Sequence, residues 1–277
     1  MSDAPRVAVV VVSYETRETL LEGLAALEGE PATSVVVVDN AGRDGSAAAV
    51  RERFPSVRLI ANPENVGFAR ACNQGARESS APFLLFLNPD ATLAAGSLRT
   101  LAALLEARPR VGVVGPRTRS ANGDIQVSTG PDLSLVSEIR QRRLVRGVAR
   151  RDAAILVEAE GLHAVEREAD WVSGACLMIR REAFDAVSGF DERFFLYEED
   201  ADLCRRVRQS GWQVLFSPAA EARHALGRSM ARTPERARLE YQRSHLLYYR
   251  KHCGLLQRAL LRALLVTRAL FATPSST

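Results

Sequence analysis

Residues 7–12 read Val-Ala-Val-Val-Val-Val, an apolar run that no polar position interrupts. A strand of this kind must be buried on both faces, which happens chiefly in parallel sheets covered by helices on each side. The pattern then repeats. Residues 16–27 carry Leu20, Leu21, Leu24 and Leu27 on one helical face. Residues 34–38 read as a second strand, 45–54 as a helix behind a glycine-bearing turn (42–45), and 57–60 as a third strand. Residues 67–78 are expected to be helical, 82–87 a strand, 93–107 a helix and 111–114 a further short strand. This alternation implies an α/β fold with a mostly parallel central sheet and helices on both faces.

In such sheets the ligand lies beyond the carboxyl ends of the strands. Small polar residues collect there: Ser13, Tyr14 and Glu15 after the first strand, Asp39 and Asn40 after the second, Asn62, Asn65 and Gly67 after the third, Asn88 and Asp90 after the fourth. One acid at a strand end is ordinarily a turn or cap residue. Four such ends in register favour a ligand site. A dinucleotide fold needs a glycine fingerprint after the first strand, but the segment there is Ser-Tyr-Glu-Thr-Arg-Glu, and no P-loop is present. A nucleotide would have to be held by side chains and a metal.

A second acidic site follows Phe194, Phe195, Leu196 and Tyr197, where Glu198, Glu199, Asp200 and Asp202 crowd together. Like charges this close repel unless a cation, a proton-accepting role or solvent relieves them. Leu203, Cys204 and Val207 continue at helical spacing, so the carboxylates fall at a helix N-terminus, which tolerates negative charge. Taken alone they fit a solvated first turn as well as a reactive cluster.

The chain of 277 residues, 47% hydrophobic and 25% charged, is long enough for one large α/β domain with an appendage. Its net charge of +4 comes almost entirely from arginine, with Lys251 the only lysine, and no nucleic-acid partner is expected. Cys72, Cys176, Cys204 and Cys253 are scattered and form no paired metal or disulfide motif, which suits a reduced, cytoplasmic compartment. The first apolar run is too short for a signal peptide, and no stretch is long enough to span a membrane.

Several segments, in order, resemble the family-2 inverting glycosyltransferases of the GT-A fold, in particular their bacterial rhamnosyltransferase-like branch. VVVVSYE resembles the opening strand and nucleotide loop, VVVVDNAGRDGS the base-holding segment, and NPENVGFARACNQG the Asn-x-Gly-Phe signature. FLLFLNPDA resembles a variant of the metal-binding Asp-x-Asp motif. WVSGACLMIRREAFDAVSGFDERFFLYEEDADLCRRVRQSGW resembles the acceptor-side strand and the Glu-Asp catalytic segment. The likeness runs from about residue 7 to about residue 229.

The resemblance implies a role for each site residue. Asp39 would accept a hydrogen bond from the imide N–H of uracil or thymine, with Ser13, Tyr14, Glu15 and Asn40 lining the same pocket. For Glu15 an exposed helix-start role fits equally. Asn65, Gly67, Phe68 and Asn73 would support the loop under the ribose and diphosphate; Gly67 would allow close backbone approach, and Phe68 fits a core anchor as well. Asp90 would bind a Mg²⁺ or Mn²⁺ ion bridging the diphosphate, with Asn88 standing where the family has its first acid. His224 would complete that weakened metal site. Trp171, Ser173 and Gly174 match the sugar and acceptor loop, although Trp171 fits the core as well. Asp200 would be the general base and Glu199 would orient the acceptor, whereas Glu198 is expected to face solvent and Asp202 to meet Arg205 or Arg206. His163, His245 and His252 receive no role.

On this reading residues 1–229 form the GT-A domain and 230–277 a basic, amphipathic helical extension. Arginine and leucine alternate along 254–271, which suits an anionic membrane surface, while packing on the domain or a homo-oligomer contact fits as well. The expected activity moves a sugar, L-rhamnose first, from a dTDP- or UDP-sugar to a saccharide or polyprenyl-linked acceptor at the inner face of the plasma membrane. The alternatives are a non-catalytic nucleotide-sugar-binding or scaffold subunit, and a sugar nucleotidyltransferase. The latter would want a glycine-rich loop after the first strand, which is missing.

Overall fold

The structure is a computed structural model that describes residues 6–28, 30, 33–225 and 234–270. Its first half comprises β1 (Val7–Ser13), α1 (Arg17–Leu27), β2 (Thr33–Asp39), α2 (Ser46–Arg53), β3 (Arg58–Ala61), α3 (Phe68–Arg77) and β4 (Phe83–Leu87). There follow β5 (Ala91–Leu93), α4 (Ser97–Ala107), β6 (Val111–Arg119), β7 (Ile125–Gln126), β8 (Thr129–Gly130), α5 (Leu135–Ala149) and α6 (Ala153–Leu162). Next come β9 (Arg167–Glu168), β10 (Trp171–Val172), β11 (Cys176–Arg180), α7 (Arg181–Ala186) and α8 (Glu199–Gln209). The last described elements are β12 (Gln213–His224), α9 (Pro234–His252) and α10 (Leu255–Leu270).

The main sheet runs β3-β2-β1-β4-β11-β6-β12-β5. Strands β3, β2, β1 and β4 are mutually parallel, β11 is antiparallel to both β4 and β6, and β6 is parallel to β12. The uninterrupted valines of β1 are explained by two cores. Val7, Val9 and Val11 pack with α1, α2 and α4 on one face, while Ala8, Val10 and Val12 pack with α3 and α8 on the other. Each fully buried valine contributes about 1.5–3 kcal/mol, and a polar residue at any of these positions would enter one core or the other.

Two expectations need correcting. Residues 91–93 do not begin a helix: they form the edge strand β5, which pairs with the end of β12, and α4 starts only after Gly96 at φ 77°. Strand β6 also runs on to Arg119, because its second half pairs with β12 beyond a bulge. These pairings join residues more than a hundred positions apart, so no local pattern announces them.

The proposed division at 229/230 falls among residues outside the description, as do 228–233 of the Arg-rich segment, Phe271 and the final ATPSST. Helix α9 shares the main core, where Tyr248 and Tyr249 are fully buried.

Gly75 shows how closely α3 sits on the sheet, since a Cβ there would lie 2.4 Å from Val10 Cγ1. Alanine in a helix interior is worth about 1 kcal/mol over glycine, but overpacking costs about 1–3 kcal/mol. Gly75→Ala is therefore expected to be net destabilising in urea unfolding, and a stabilised variant would contradict the packing described.

Candidate active site

The site forms where β1, β2 and β4 stop. Ser13 and Asp39 are register partners at the ends of β1 and β2. Ser13 is fully buried and its hydroxyl shares a 2.9 Å hydrogen bond with Thr16 Oγ1, so it fastens the β1–α1 turn instead of lining a ligand pocket. Glu15 Oε1 accepts the Arg43 N–H at 2.7 Å. The first N–H of α1 is capped by Asp44 Oδ2 at 2.7 Å, while Thr16 provides no side-chain cap. Asp44 was missed in the sequence because its partner lies 27 residues away.

Asp39 is buried, and its Oδ1 has no hydrogen-bond partner among the described residues. Burial pushes its carboxyl above the usual range, and the Gly42 N–H only partly offsets this. A buried acceptor left open costs about 1–3 kcal/mol, which a ligand N–H would recover.

Asn40 borders the site cavity, but its polar atoms are committed to protein. Its amide donates to Asn65 Oδ1 (2.9 Å) and the Gly67 carbonyl (3.2 Å), while its Oδ1 accepts from Asn62 Nδ2 (3.1 Å) and Val66 N–H (3.0 Å). With all its hydrogen bonds used, Asn40 ties the 62–67 loop to the end of β2. Asn73 is likewise spent, bonding the Phe190 backbone on both sides and Glu192 Oε1, so it anchors the segment that leads to the carboxylates. The close approach at Gly67 is to protein: a Cβ there would lie 2.8 Å from the Phe195 carbonyl, which accepts the Phe68 N–H at 2.7 Å.

A cavity of about 340 Å³ opens above these loops. Tyr14, Asn40, Asn65, Phe68, Asn88 and Asp90 line it from the strand ends, and Phe195, Tyr197 and His224 from the other side. Arg236 and Glu240 of α9, neither singled out from the sequence, also line it. A larger cavity of about 410 Å³ lies between α5, α6 and the α8–β12 turn, and it contains none of the expected site residues. The smaller cavity is the one that gathers expected site residues, Asp90 and His224 among them.

Pairing of β5 with β12 sets His224 opposite Ala91 and so brings it to Asp90. His224 Nε2 lies 3.1 Å from Asp90 Oδ1 and 3.3 Å from Asn88 Nδ2, with Nδ1 3.2 Å from Gln126 Oε1. In the tautomer whose Nδ1–H donates to Gln126, the Nε2 lone pair faces the carboxylate. Adjacent ligands of an octahedral ion with 2.1 Å bonds are about 3 Å apart, so this donor pair fits a Mg²⁺- or Mn²⁺-type ion. No group of three or more His, Cys, Asp or Glu able to hold a metal occurs among the described residues. Further ligands would come from phosphate and water.

On the acceptor side, Asp200 Oδ2 accepts the Gly174 N–H at 2.7 Å and Oδ1 accepts the Ala201 N–H at 2.8 Å. Burial nevertheless pushes Asp200 above the ordinary aspartate range. Glu199 is pushed well up by burial and by the Asp200 charge, and its Oε2 has no partner among the described residues. Ser173 sits in the turn beside Gly174, its Oγ accepting the Ala175 N–H at 3.3 Å. Trp171 belongs to the core, with Nε1 donating to the Pro131 carbonyl at 2.9 Å, and is unavailable for stacking on a sugar.

Glu198 is not solvent-facing: its Oε1 meets His245 Nδ1 at 2.6 Å, and its side chain is almost completely buried. Asp202, 0% exposed, receives Arg206 at 2.7 Å and both Lys251 and His252 at 2.6 Å. Ser244 Oγ donates to the Leu196 carbonyl at 2.7 Å. Ser244, His245, Tyr248, Lys251 and His252 recur at helical spacing on α9, and that stripe was the available signal.

A profile described as glycosyltransferase-like family 2 matches residues 5–242. The chain is 34% identical over 239 residues to the N-acetylglucosaminyl-diphospho-decaprenol L-rhamnosyltransferase of Mycobacterium tuberculosis, covering 82% of this chain and 78% of that protein. Its fold resembles mannosyltransferase PcManGT of Pyrobaculum calidifontis, solved with GDP-Man and Mn²⁺, at TM-score 0.58 and 20% identity over 97% of this chain and 81% of that one. It also resembles GalNAc-T7, solved with UDP, GalNAc and Mn²⁺, at TM-score 0.59 and 15% identity over 81% and 44% of the two chains. The α/β architecture is thus that of GT-A glycosyltransferases.

Burial opposes the charge on Asp202, but His252, Arg206 and Lys251 outweigh it and hold its pKa below the usual value. A depressed carboxylate stabilises the fold above its unfolded pKa, about 3.9, and that stability is lost as pH falls through the lower folded value. Asp202→Asn should cost about 3–5 kcal/mol at pH 7, and its deficit relative to wild type should shrink in acid. Urea unfolding at pH 7 and pH 3 checks both; an equal deficit at the two values would refute the ion cluster's role.

Proposed function

The chain belongs to glycosyltransferase-like family 2, and from that premise we propose an inverting transferase that moves a sugar from a dTDP- or UDP-sugar to an acceptor hydroxyl. L-rhamnose as the sugar and a lipid-linked saccharide as the acceptor follow from the mycobacterial relative's name. The observation that carries the reading is one cavity in which Asp90 and His224 face Tyr197, two residues before Glu199 in the acidic segment.

In a single displacement the acceptor oxygen bonds to the anomeric carbon while the bond to the nucleoside diphosphate breaks. Asp200 takes the hydroxyl proton, a contribution of about 10²–10⁴-fold. Its two backbone N–H bonds fix the carboxylate, and burial raises its basicity. Glu199 offers its open oxygen to orient the acceptor. Asp39 takes the imide N–H of the base. Asp90 and His224 would hold a divalent ion, which when bound would stabilise the charge of the departing diphosphate.

Asp200→Asn keeps shape but loses basicity. Transfer should fall by about 10² or more, with dTDP or UDP affinity unchanged by calorimetry and weakened when Mg²⁺ is removed. Because burial raises Asp200, wild-type kcat should fall in acid at a pH above the ordinary aspartate value. Near-wild-type turnover in Asp200→Asn would move the base elsewhere, whereas nucleotide binding without any transfer by the wild type would favour a non-catalytic binding subunit.

We also infer a peripheral membrane position at the cytoplasmic face. Leu255, Leu256 and Leu260 of α10 are exposed, as is Arg262, while Arg258 is turned to the Tyr249 and Cys253 carbonyls, and no described helix is long and apolar enough to cross a membrane. Exposed apolar side chains on an arginine-bearing helix suit an anionic bilayer. The full chain should co-sediment with phosphatidylglycerol vesicles at low salt and release at high salt; equal binding to neutral vesicles would count against it.

A further inference from the structure

Tyr197 and Glu198, immediately before α8, have φ values of 71° and 62°. Left-handed conformations cost non-glycine residues about 1–3 kcal/mol each and persist only where the surroundings impose them. Here the segment is held from two sides. The Phe195 carbonyl accepts the Phe68 N–H of α3, and the Leu196 carbonyl accepts Ser244 Oγ of α9. The turn itself is gripped through the Glu198 side chain, whose Oε1 lies 2.6 Å from His245 Nδ1.

His245 is 2% exposed, and its other nitrogen, Nε2, lies 3.3 Å from Glu138 Oε1 on α5. Glu138 also accepts Tyr249 Oη at 2.5 Å and Arg142 at 2.8 Å. The ring stacks on Tyr241 at 5.5 Å and tilts against Tyr249 at 4.9 Å. The groups facing it are thus Glu198 from the turn, Glu138 and Arg142 from α5, and two tyrosines of α9. One imidazole thus lies between two carboxylates in a buried place: Nδ1 is hydrogen-bonded to Glu198, while Nε2 has no hydrogen-bond partner among the described residues and meets Glu138 through charge alone, a setting that favours the doubly protonated ring.

Resting on the reading that Asp200 is the base, we propose that His245, as an imidazolium, is a positioning residue: it ties Glu198 to Glu138 and so holds the left-handed turn that presents Glu199 and Asp200. The C-terminal helix is then part of the catalytic apparatus. Burial works against the charge on His245, but the hydrogen bond it donates to Glu198 and the pull of both glutamates outweigh it and raise its pKa. A raised histidine gives its stabilisation below its unfolded pKa and loses it as pH rises through the folded value. Grip on the turn should therefore weaken on the alkaline side.

The test compares full-length His245→Gln, His245→Phe and Asp200→Asn with wild type, using dTDP-L-rhamnose and an N-acetylglucosaminyl-diphospho-lipid. His245→Gln should lower kcat about 10–100-fold, the scale of a misplaced reacting group, while donor KM moves less than about threefold. Wild-type kcat should fall on the alkaline side, and this limb should be missing in His245→Gln. Independently of turnover, amides 195–202 should exchange hydrogen at least about tenfold faster in His245→Gln than in wild type, with His245→Phe at least as fast. Unchanged kcat beside an inactive Asp200→Asn, a retained alkaline limb, or unchanged exchange would overturn the proposal. Should Asp200→Asn keep its turnover, the base assignment falls while the exchange measurement still decides the role of His245.

Discussion

A backbone hydrogen bond from Phe68 N–H to the Phe195 carbonyl, at 2.7 Å, ties the strand-end loops to the acidic segment. One partner opens the helix after the strand-end loops, and the other belongs to the apolar run before the carboxylates. The contact requires a residue without a side chain at position 67, where φ is 89° and a Cβ would meet Phe195 at 2.8 Å. Asn40 fixes the approaching loop and Asn73 fixes the departing segment, so the donor side and the acceptor side are held in one frame. Polar residues at the rim that look like ligand contacts thus serve mainly to bring the chemistry together.

The carboxylates show how similar groups take different roles through their surroundings. Asp202 is surrounded by Arg206, Lys251 and His252 and remains a structural anion. Glu198 is paired with His245. Asp200 is held only by backbone N–H groups, and Glu199 keeps an open oxygen. Burial without a counter-charge raises proton affinity, whereas burial beside cations lowers it. The same crowding that would expel four charges into water therefore yields two anchors and two groups fit for proton and hydroxyl chemistry.

The nucleotide side follows a similar economy. Asp90 and His224 meet only because the three-residue strand β5 pairs with the end of β12. Asp90 and His224 offer two donors, and a divalent ion held there would need phosphate oxygens and water to complete its shell. Metal and nucleotide sugar would therefore bind together.

The sequence by itself determined the layered α/β plan, because an unbroken valine strand has no stable place except between two apolar layers, and it marked Asp39, Asp90 and the Glu199–Asp200 pair by their positions at strand ends and a helix start. It could not say which rim residues face a ligand. Ser13, Asn40, Asn73 and Trp171 have the composition of contact residues, but their polar atoms are taken up by Thr16, the 62–67 loop, Phe190 and Pro131. Nor could it show that the arginine-rich tail returns to the acidic segment. The helical period of α9 states which residues share a face, but the partner of that face lies some fifty positions back and is chosen by packing of Tyr248 and Tyr249 into the core. Only the tertiary structure made that choice, since burial and hydrogen-bond satisfaction depend on neighbours in space, whereas periodicity depends on neighbours in the chain.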